Sequence, residues 1–484
     1  MRTKRARSAT RRRLTLDSDA LINLESDALK IDESVAHVRL NILLRLLAAF
    51  FAALVLTHAP VSHARAQSRR KATPKKTRTQ VAARTDAGTA AQLARAVELL
   101  QAGKRDEAEP IVRAVVAVAP SNPDAHALLG IILDQRGLAR EAEAEYREAI
   151  RLRPKSVAAR ANLGVLLART QRFDEAVEML RSVLAGAPDH PQATFNLGVA
   201  LFNLKRYEEA EALLNSPPAI TQSAPEVFYY LGLIAAARDR AEEAAGYWQR
   251  ALALRENYPE VHFALAEELR KQRRYEGAVE FYERALAEDP ARVVYHVRLG
   301  GVLMLMSKYE RALEVFQRAA ERFPASAEVQ YFAGIAARGR GDFETAETAL
   351  RRSLALKSDN VDALAQLGFV VGERGRDAEA EVLLRRAVAL DARHFYANYD
   401  LGRLLVRARR YVEAIAVLEG ATRIRERDAG VHYQLFIAYT RLKRAADAER
   451  ELALFKQFEE ERKARRARGE EEQIEDTLPP PAPR

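Results

Sequence analysis

The chain has 484 residues, no cysteine, 48% hydrophobic and 30% charged side chains. That balance suits a folded helical core and excludes disulfide staples, thiolate metal sites and a lipidated cysteine. The formal charge of +10 is concentrated at one end, since residues 1–85 hold 18 basic and 6 acidic side chains and the remainder holds 59 and 61; a near-neutral remainder lacks the basic stripe that a nucleic-acid groove requires, so no nucleic-acid partner is expected.

Residues 1–37 place Asp17, Asp19, Glu25, Asp32 and Glu33 ahead of an apolar stretch. They read either as an N-terminal extension or as sequence upstream of a true start near Val35 or Val38. Residues 38–66 follow the order of an export signal: Arg39 and Arg45, the apolar run Leu46 to Leu56, Pro60, and the small-residue site Ala64-Arg65-Ala66. The run is shorter than the roughly 20 residues that span a bilayer. The expectation is therefore an exported protein, periplasmic or secreted, cleaved after Ala66. The alternative is an uncleaved inner-membrane anchor, the one membrane association the sequence suggests. Residues 67–88, rich in Arg, Lys, Thr and Ala without an apolar period, are expected to form a basic disordered linker.

From residue 89 to 462 the chain is periodic. Alanine recurs every 34 residues at Ala108, Ala142, Ala176, Ala210, Ala244, Ala278, Ala312, Ala346, Ala380, Ala414 and Ala448. Twelve residues before it stands a small residue, in most units glycine (Gly130, Gly164, Gly198, Gly232, Gly300, Gly334, Gly368 and Gly402). Four residues after it comes a large apolar side chain, such as Tyr146, Leu180, Trp248, Tyr282 or Phe316, and Pro120, Pro154, Pro188, Pro290 and Pro324 close several units.

A period of 34 residues that does not slip means one supersecondary unit copied in tandem. The columns resemble the tetratricopeptide motif, W-x2-L-G-x2-Y, then A-x3-F and P. The resemblance implies an all-α fold, a right-handed α-solenoid of about eleven helix-turn-helix units. Numbering each unit from 1, the small residues at positions 8 and 20 are where helices A and B cross, and apolar residues at positions 7, 11 and 24 fill the space beside them. One unit cannot bury this face alone, so neighbouring units complete the core.

Unit 4 is irregular. Its second helix runs into Asn215-Ser216-Pro217-Pro218, and proline removes a backbone donor there. A joint near residues 215–225 is expected between units 1–4 and 5–11.

In arrays of this kind the concave face is lined by helix A, chiefly at positions 2, 5, 6, 9, 12 and 13. Position 5 carries the aromatic row Phe195, Tyr229, Phe263, Tyr331, Tyr399 and Tyr433, and flat rigid rings of this kind serve either as binding anchors or as packing beside the next helix. Asn162 and Asn196 at position 6 match residues with which the family holds an extended peptide backbone. Arg298 and Arg403 complete the candidate peptide-binding set. Seven basic and six acidic residues occupy the lining positions of units 6–11, which fits a peptide or protein of mixed charge better than a polyanion. The family's carboxylate clamp needs lysine at position 5 and asparagine at position 9, and neither column holds them.

No catalytic, cofactor-binding or metal-binding residue is expected. His126, His262, His296 and His432 recur at position 4, a packing column, with no second ligand at metal-binding spacing. No H-E-x-x-H, phosphate loop or G-x-S-x-G occurs. Residues 463–484 read as a charged helix end and a proline-rich tail. The sequence thus describes a non-enzymatic scaffold outside the cytoplasm holding a peptide or partner protein in its groove; the alternative is a structural or self-associating solenoid, or an accessory subunit of an envelope complex.

Overall fold

A computed structural model describes the backbone of residues 76–467 and the side chains of residues 88–465. These residues form twenty-two helices and no strand, two helices for each of eleven units. Unit 9 is typical: helix A runs Val361–Glu373 and helix B runs Asp377–Leu390. The described residues divide into two compact bodies, one reaching to Ile234 and one beginning at Ala235. Each is a stack of hairpins.

Local chemistry starts and stops each helix. Position 34 caps the next helix A: Asn122, Ser156, Ser326, Asn360 and Asp428 accept backbone N–H groups through a side-chain oxygen, which satisfies donors left open in the first turn. His190 and His394 do the same through Nδ1, at 3.2 and 3.0 Å. Between helices A and B, position 15 is left-handed in every unit. Gly103, Gly137, Gly341 and Gly375 supply it without cost, whereas Gln171, Lys205, Asp239, Arg273, Ser307, Arg409 and Lys443 adopt φ between 56° and 61°. In unit 2 the N–H of Gly137 bonds to Asp134 O and that of Leu138 to Leu133 O, so the turn closes the end of helix A by the Schellman pattern.

The core follows the small-residue columns. Ala108 through Ala448 at position 20 are all buried. The glycine column has a more specific partner than the facing alanine: a Cβ on Gly130 would lie 2.6 Å from the Tyr146 ring, one on Gly164 2.7 Å from Leu180, and one on Gly368 2.6 Å from Leu384. Position 8 is therefore emptied to admit the large side chain at position 24 of the same hairpin.

Charged residues link successive units. Glu143 in helix B of unit 2 accepts from Arg172 in the turn of unit 3 at 2.7 Å, Glu381 of unit 9 accepts from Arg410 of unit 10 at 2.7 Å, and Glu109 of unit 1 accepts from Arg136 of unit 2 at 2.6 Å. Glu347 of unit 8 is held by Arg351, by Arg374 at 2.5 Å and by Arg376. Burial pushes its carboxyl up, but the arginines outweigh that and hold it at about 2.

Two expectations meet the structure here. The basic linker is helical from Lys76 onward, in one helix Lys76–Gln101, because Ala, Arg, Lys and Gln are good helix formers and no glycine or proline interrupts them before Gly88. In unit 4, helix B stops early at Tyr207–Leu214, but Pro217 opens a new helical stretch rather than ending one, since its missing N–H is harmless at a first helical position. That stretch, Pro217–Ala237, has non-helical backbone at Ser223. The start site, the apolar run Leu46 to Leu56 and the tail beyond Arg468 lie outside the described residues. Among the described residues, no helix is long and apolar enough to cross a membrane.

Candidate functional site

In the first body Phe195 turns toward the next unit. Phe195 is 8% exposed and meets Tyr230 edge-on at 6.1 Å, and Phe202 meets the same ring at 5.5 Å. Tyr229, half-buried, lies 5.3 Å from Tyr230. Asn162 is buried, and Asn196 donates its Nδ2 to Gln192 O of its own helix at 2.8 Å.

The second body repeats the pattern. Phe263 stacks on Tyr295 of the next helix A at 5.0 Å, and the Tyr399 hydroxyl faces Gly430 of unit 11, where a Cβ would stand 2.9 Å away. Tyr331 is buried beside Phe332, and burial pushes its phenol up. Phe195, Phe263 and Tyr399 thus point into the seam between consecutive A helices. Asn162 and Phe195 are 8% exposed and Tyr331 3%, so these three expected contact residues offer little surface as they stand. Tyr229, Phe263 and Tyr399 keep partial exposure, and Tyr433 is 42% exposed.

The groove charges largely satisfy one another. Glu267 accepts from Arg270 at 3.0 Å and from the Tyr282 hydroxyl, with Arg298 at 3.5 Å. Burial pushes the Glu267 carboxyl up, but these partners prevail and hold it below the ordinary range. Arg403 donates to Glu373 at 2.9 Å and lies 3.7 Å from Asp400. Burial raises Asp400 to about 6, against the pull of Arg403 and Arg338.

The most developed lining element was not legible in the position-5 row. The Phe369 ring, at position 9 of unit 9, has the Arg338 guanidinium at 5.1 Å and the Arg403 guanidinium at 5.0 Å, both within cation–π range. These three side chains come from the A helices of units 8, 9 and 10, and all three are partly exposed. Only the columns at positions 9 and 12, read together, could have indicated them.

The position-4 histidines are buried: His126 contacts Glu145 Oε2 at 2.6 Å and Pro120 O at 2.9 Å, and His432 contacts Glu451 Oε2 at 2.7 Å and Glu426 O at 2.8 Å. These two tie helix A to its own helix B and to the loop before it, whereas His262 contacts Glu288 of its helix B and His296 contacts Pro290 O of the preceding loop. Among the described residues no cluster of three or more His, Cys, Asp or Glu could hold a metal ion.

Stacked hairpins with an ordered, mixed-charge lining face define a helical-repeat interaction scaffold. Tetratricopeptide repeat profiles match residues 93–157, 135–189, 167–232, 259–292, 297–361 and 372–429. The chain belongs to the tetratricopeptide repeat family, whose arrays serve protein–protein interaction. No curated protein matches the chain. Among solved structures it is similar to PilF of Pseudomonas aeruginosa, at 28% identity over 43% of this chain and 96% of that one, with a TM-score of 0.37. MamA of Desulfovibrio magneticus RS-1 is similar at 22% identity over 36% and 97%, with a TM-score of 0.33. YrrB, described as a TPR protein with an unusual peptide-binding site, is similar at 20% identity over 38% and 96%, with a TM-score of 0.33.

Proposed function

We propose that the chain is a non-enzymatic scaffold that binds a peptide segment of a partner protein along the A-helix face of the second body. The observation that carries this reading is the Arg338–Phe369–Arg403 cluster. It sets a rigid ring and two cations on adjacent helices, pre-ordered and partly open to solvent. Arg and aromatic side chains in such settings supply much of the energy at protein interfaces, and ordering them before binding lowers the entropic cost of association. Phe263, Arg298 and Tyr399 extend the same face. The site of action is outside the cytoplasm, a reading supported by the order of charge, apolar run and Ala64-Arg65-Ala66.

The test is selection of peptides from a random display library on the full chain, followed by calorimetry on the enriched sequences. Phe369→Ala combined with Arg403→Ala should weaken binding by about tenfold or more, a loss of roughly 1.4 kcal/mol. Unchanged affinity in that double variant, with helicity retained, would remove this face from the binding reading. Cell fractionation with mass spectrometry of the mature N-terminus tests export separately.

A further inference from the structure

The last hairpin differs from the ten before it. Its helix A is Ala429–Arg441, and its helix B runs without interruption through Ala445–Ala467, 23 residues against the usual 14. In earlier units helix B ends nine residues sooner, and a following helix A covers the end of the hairpin. Tyr399 of unit 10 is roofed in this way by Gly430. Tyr433, in the same column of unit 11, has no such roof among the described residues and is the most exposed aromatic of its row.

A cavity of about 260 Å³ lies at this place, lined by Gly430, Tyr433, Phe455, Phe458 and three arginines, Arg427, Arg462 and Arg465. The Tyr433 and Phe455 rings stand 5.1 Å apart, and Arg427 lies over Phe458 at 5.7 Å. Two carboxylates also line it. Asp428 is engaged with Val431 N as a helix cap, Glu459 pairs with Arg462, and Arg427 pairs with Glu461 at 2.8 Å.

We propose that this groove is occupied by the chain's own following segment, Gly469 to Arg484, which caps the exposed end of the array. Composition fits it on two counts. Glu470, Glu471, Glu472, Glu475 and Asp476 bring five carboxylates toward Arg427, Arg462 and Arg465. Leu478-Pro479-Pro480-Pro481-Ala482-Pro483 follows, and a proline-rich segment in polyproline II form docks aromatic-lined grooves at low entropic cost. Reach is sufficient, because the groove wall from Phe455 to Arg465 spans about 15 Å of helix and an extended segment advances up to about 3.3–3.6 Å per residue. This groove is separate from the Arg338–Phe369–Arg403 face, so the proposal stands independently of the function above.

A fluorescein-labelled peptide of residues 469–484 is titrated into the full chain and into a chain ending at Arg468. The expected result is binding to the shortened chain, with binding to the full chain weaker by about tenfold or more because the tethered copy competes at high effective concentration. Tyr433→Ala and, separately, Arg465→Glu in the shortened chain should each weaken it, with helicity checked by circular dichroism. Failure of the peptide to bind the shortened chain, or equal binding to both chains, overturns the proposal. So does light scattering that shows both chains dimerising alike, which would assign the groove to a second copy.

Discussion

His432 Nδ1 and Glu451 Oε2 lie 2.7 Å apart, both side chains buried, and the other ring nitrogen of His432 lies 2.8 Å from Glu426 O. Both nitrogens face acceptors, so the doubly protonated ring is the form that satisfies them. Burial opposes the charge, but the Glu451 carboxylate and the Glu426 carbonyl raise the His432 pKa above its ordinary 6.5. A raised folded-state value stabilises fully below the unfolded value and fades as pH rises through the folded one. His432→Gln should therefore lower the melting temperature more at pH 5.5 than at pH 8.5. An equal loss at both pH values would show that the pair contributes no proton-linked stability.

Glu347 titrates in the opposite sense. Its folded-state pKa of about 2 lies below the ordinary 4.5, so its contribution is complete above 4.5 and is lost as pH falls toward 2. Glu347→Gln should cost about 1 kcal/mol at pH 7, the size of a charge-assisted hydrogen bond discounted for the half-exposed arginines. The penalty should vanish near pH 2. Denaturant melts of both proteins across this range measure it, and a penalty independent of pH would contradict the ion-pair account.

The left-handed turns make a two-sided prediction. At Arg409, φ is 61°, and a non-glycine residue there costs about 1–2 kcal/mol. Glycine adds roughly 0.4–1 kcal/mol of freedom to the unfolded chain, so Arg409→Gly should stabilise by up to about 1 kcal/mol. At Gly341, φ is 84°, and by the same balance Gly341→Ala should destabilise by up to about 1 kcal/mol. Chemical denaturation decides both, and a stabilising Gly341→Ala would refute the conformational argument.

Gly300 faces the Phe316 ring, which is fully buried and stacks on Phe332 at 5.6 Å. A ring held on both sides cannot swing away as a leucine tip can. Gly300→Ala should thus cost about 1–3 kcal/mol, and more than Gly164→Ala, where the opposing atoms belong to Leu180. Equal stability losses in the two variants would show that the hairpin relaxes as a whole.

Much of the architecture was legible in the sequence because its determinants are columns. Glycine at position 8 and alanine at position 20 announce close helix crossing, and the position-4 histidines form a buried column. Their partners were not legible: Glu145 and Glu451 lie on the other helix of the hairpin, and nothing in the spacing selects them. The left-handed residue at position 15 stayed hidden because seven of its eleven occupants are not glycine. The aromatic row at position 5 divides for a physical reason. A helix face that lines a groove also borders the next helix, and Phe195 and Tyr331 fall on the bordering side. Arg338, Phe369 and Arg403 sit in different columns of different units, so only the fold brings them together.

The pairing of position 8 with position 24 has a consequence for how such an array can be rebuilt. Ward and key belong to the same hairpin, so a unit carries its internal fit with it wherever it is moved. The Glu143–Arg172 and Glu381–Arg410 contacts are different, because each joins one hairpin to its successor. Transplanting unit 9 elsewhere in the chain would keep Gly368 mated to Leu384 and Glu381 paired with Arg385 of its own helix, but would lose the Arg410 contact unless the new neighbour offers an arginine in that place. Compatibility at the graft junction, rather than integrity of the cassette, is what limits recombination among these repeats.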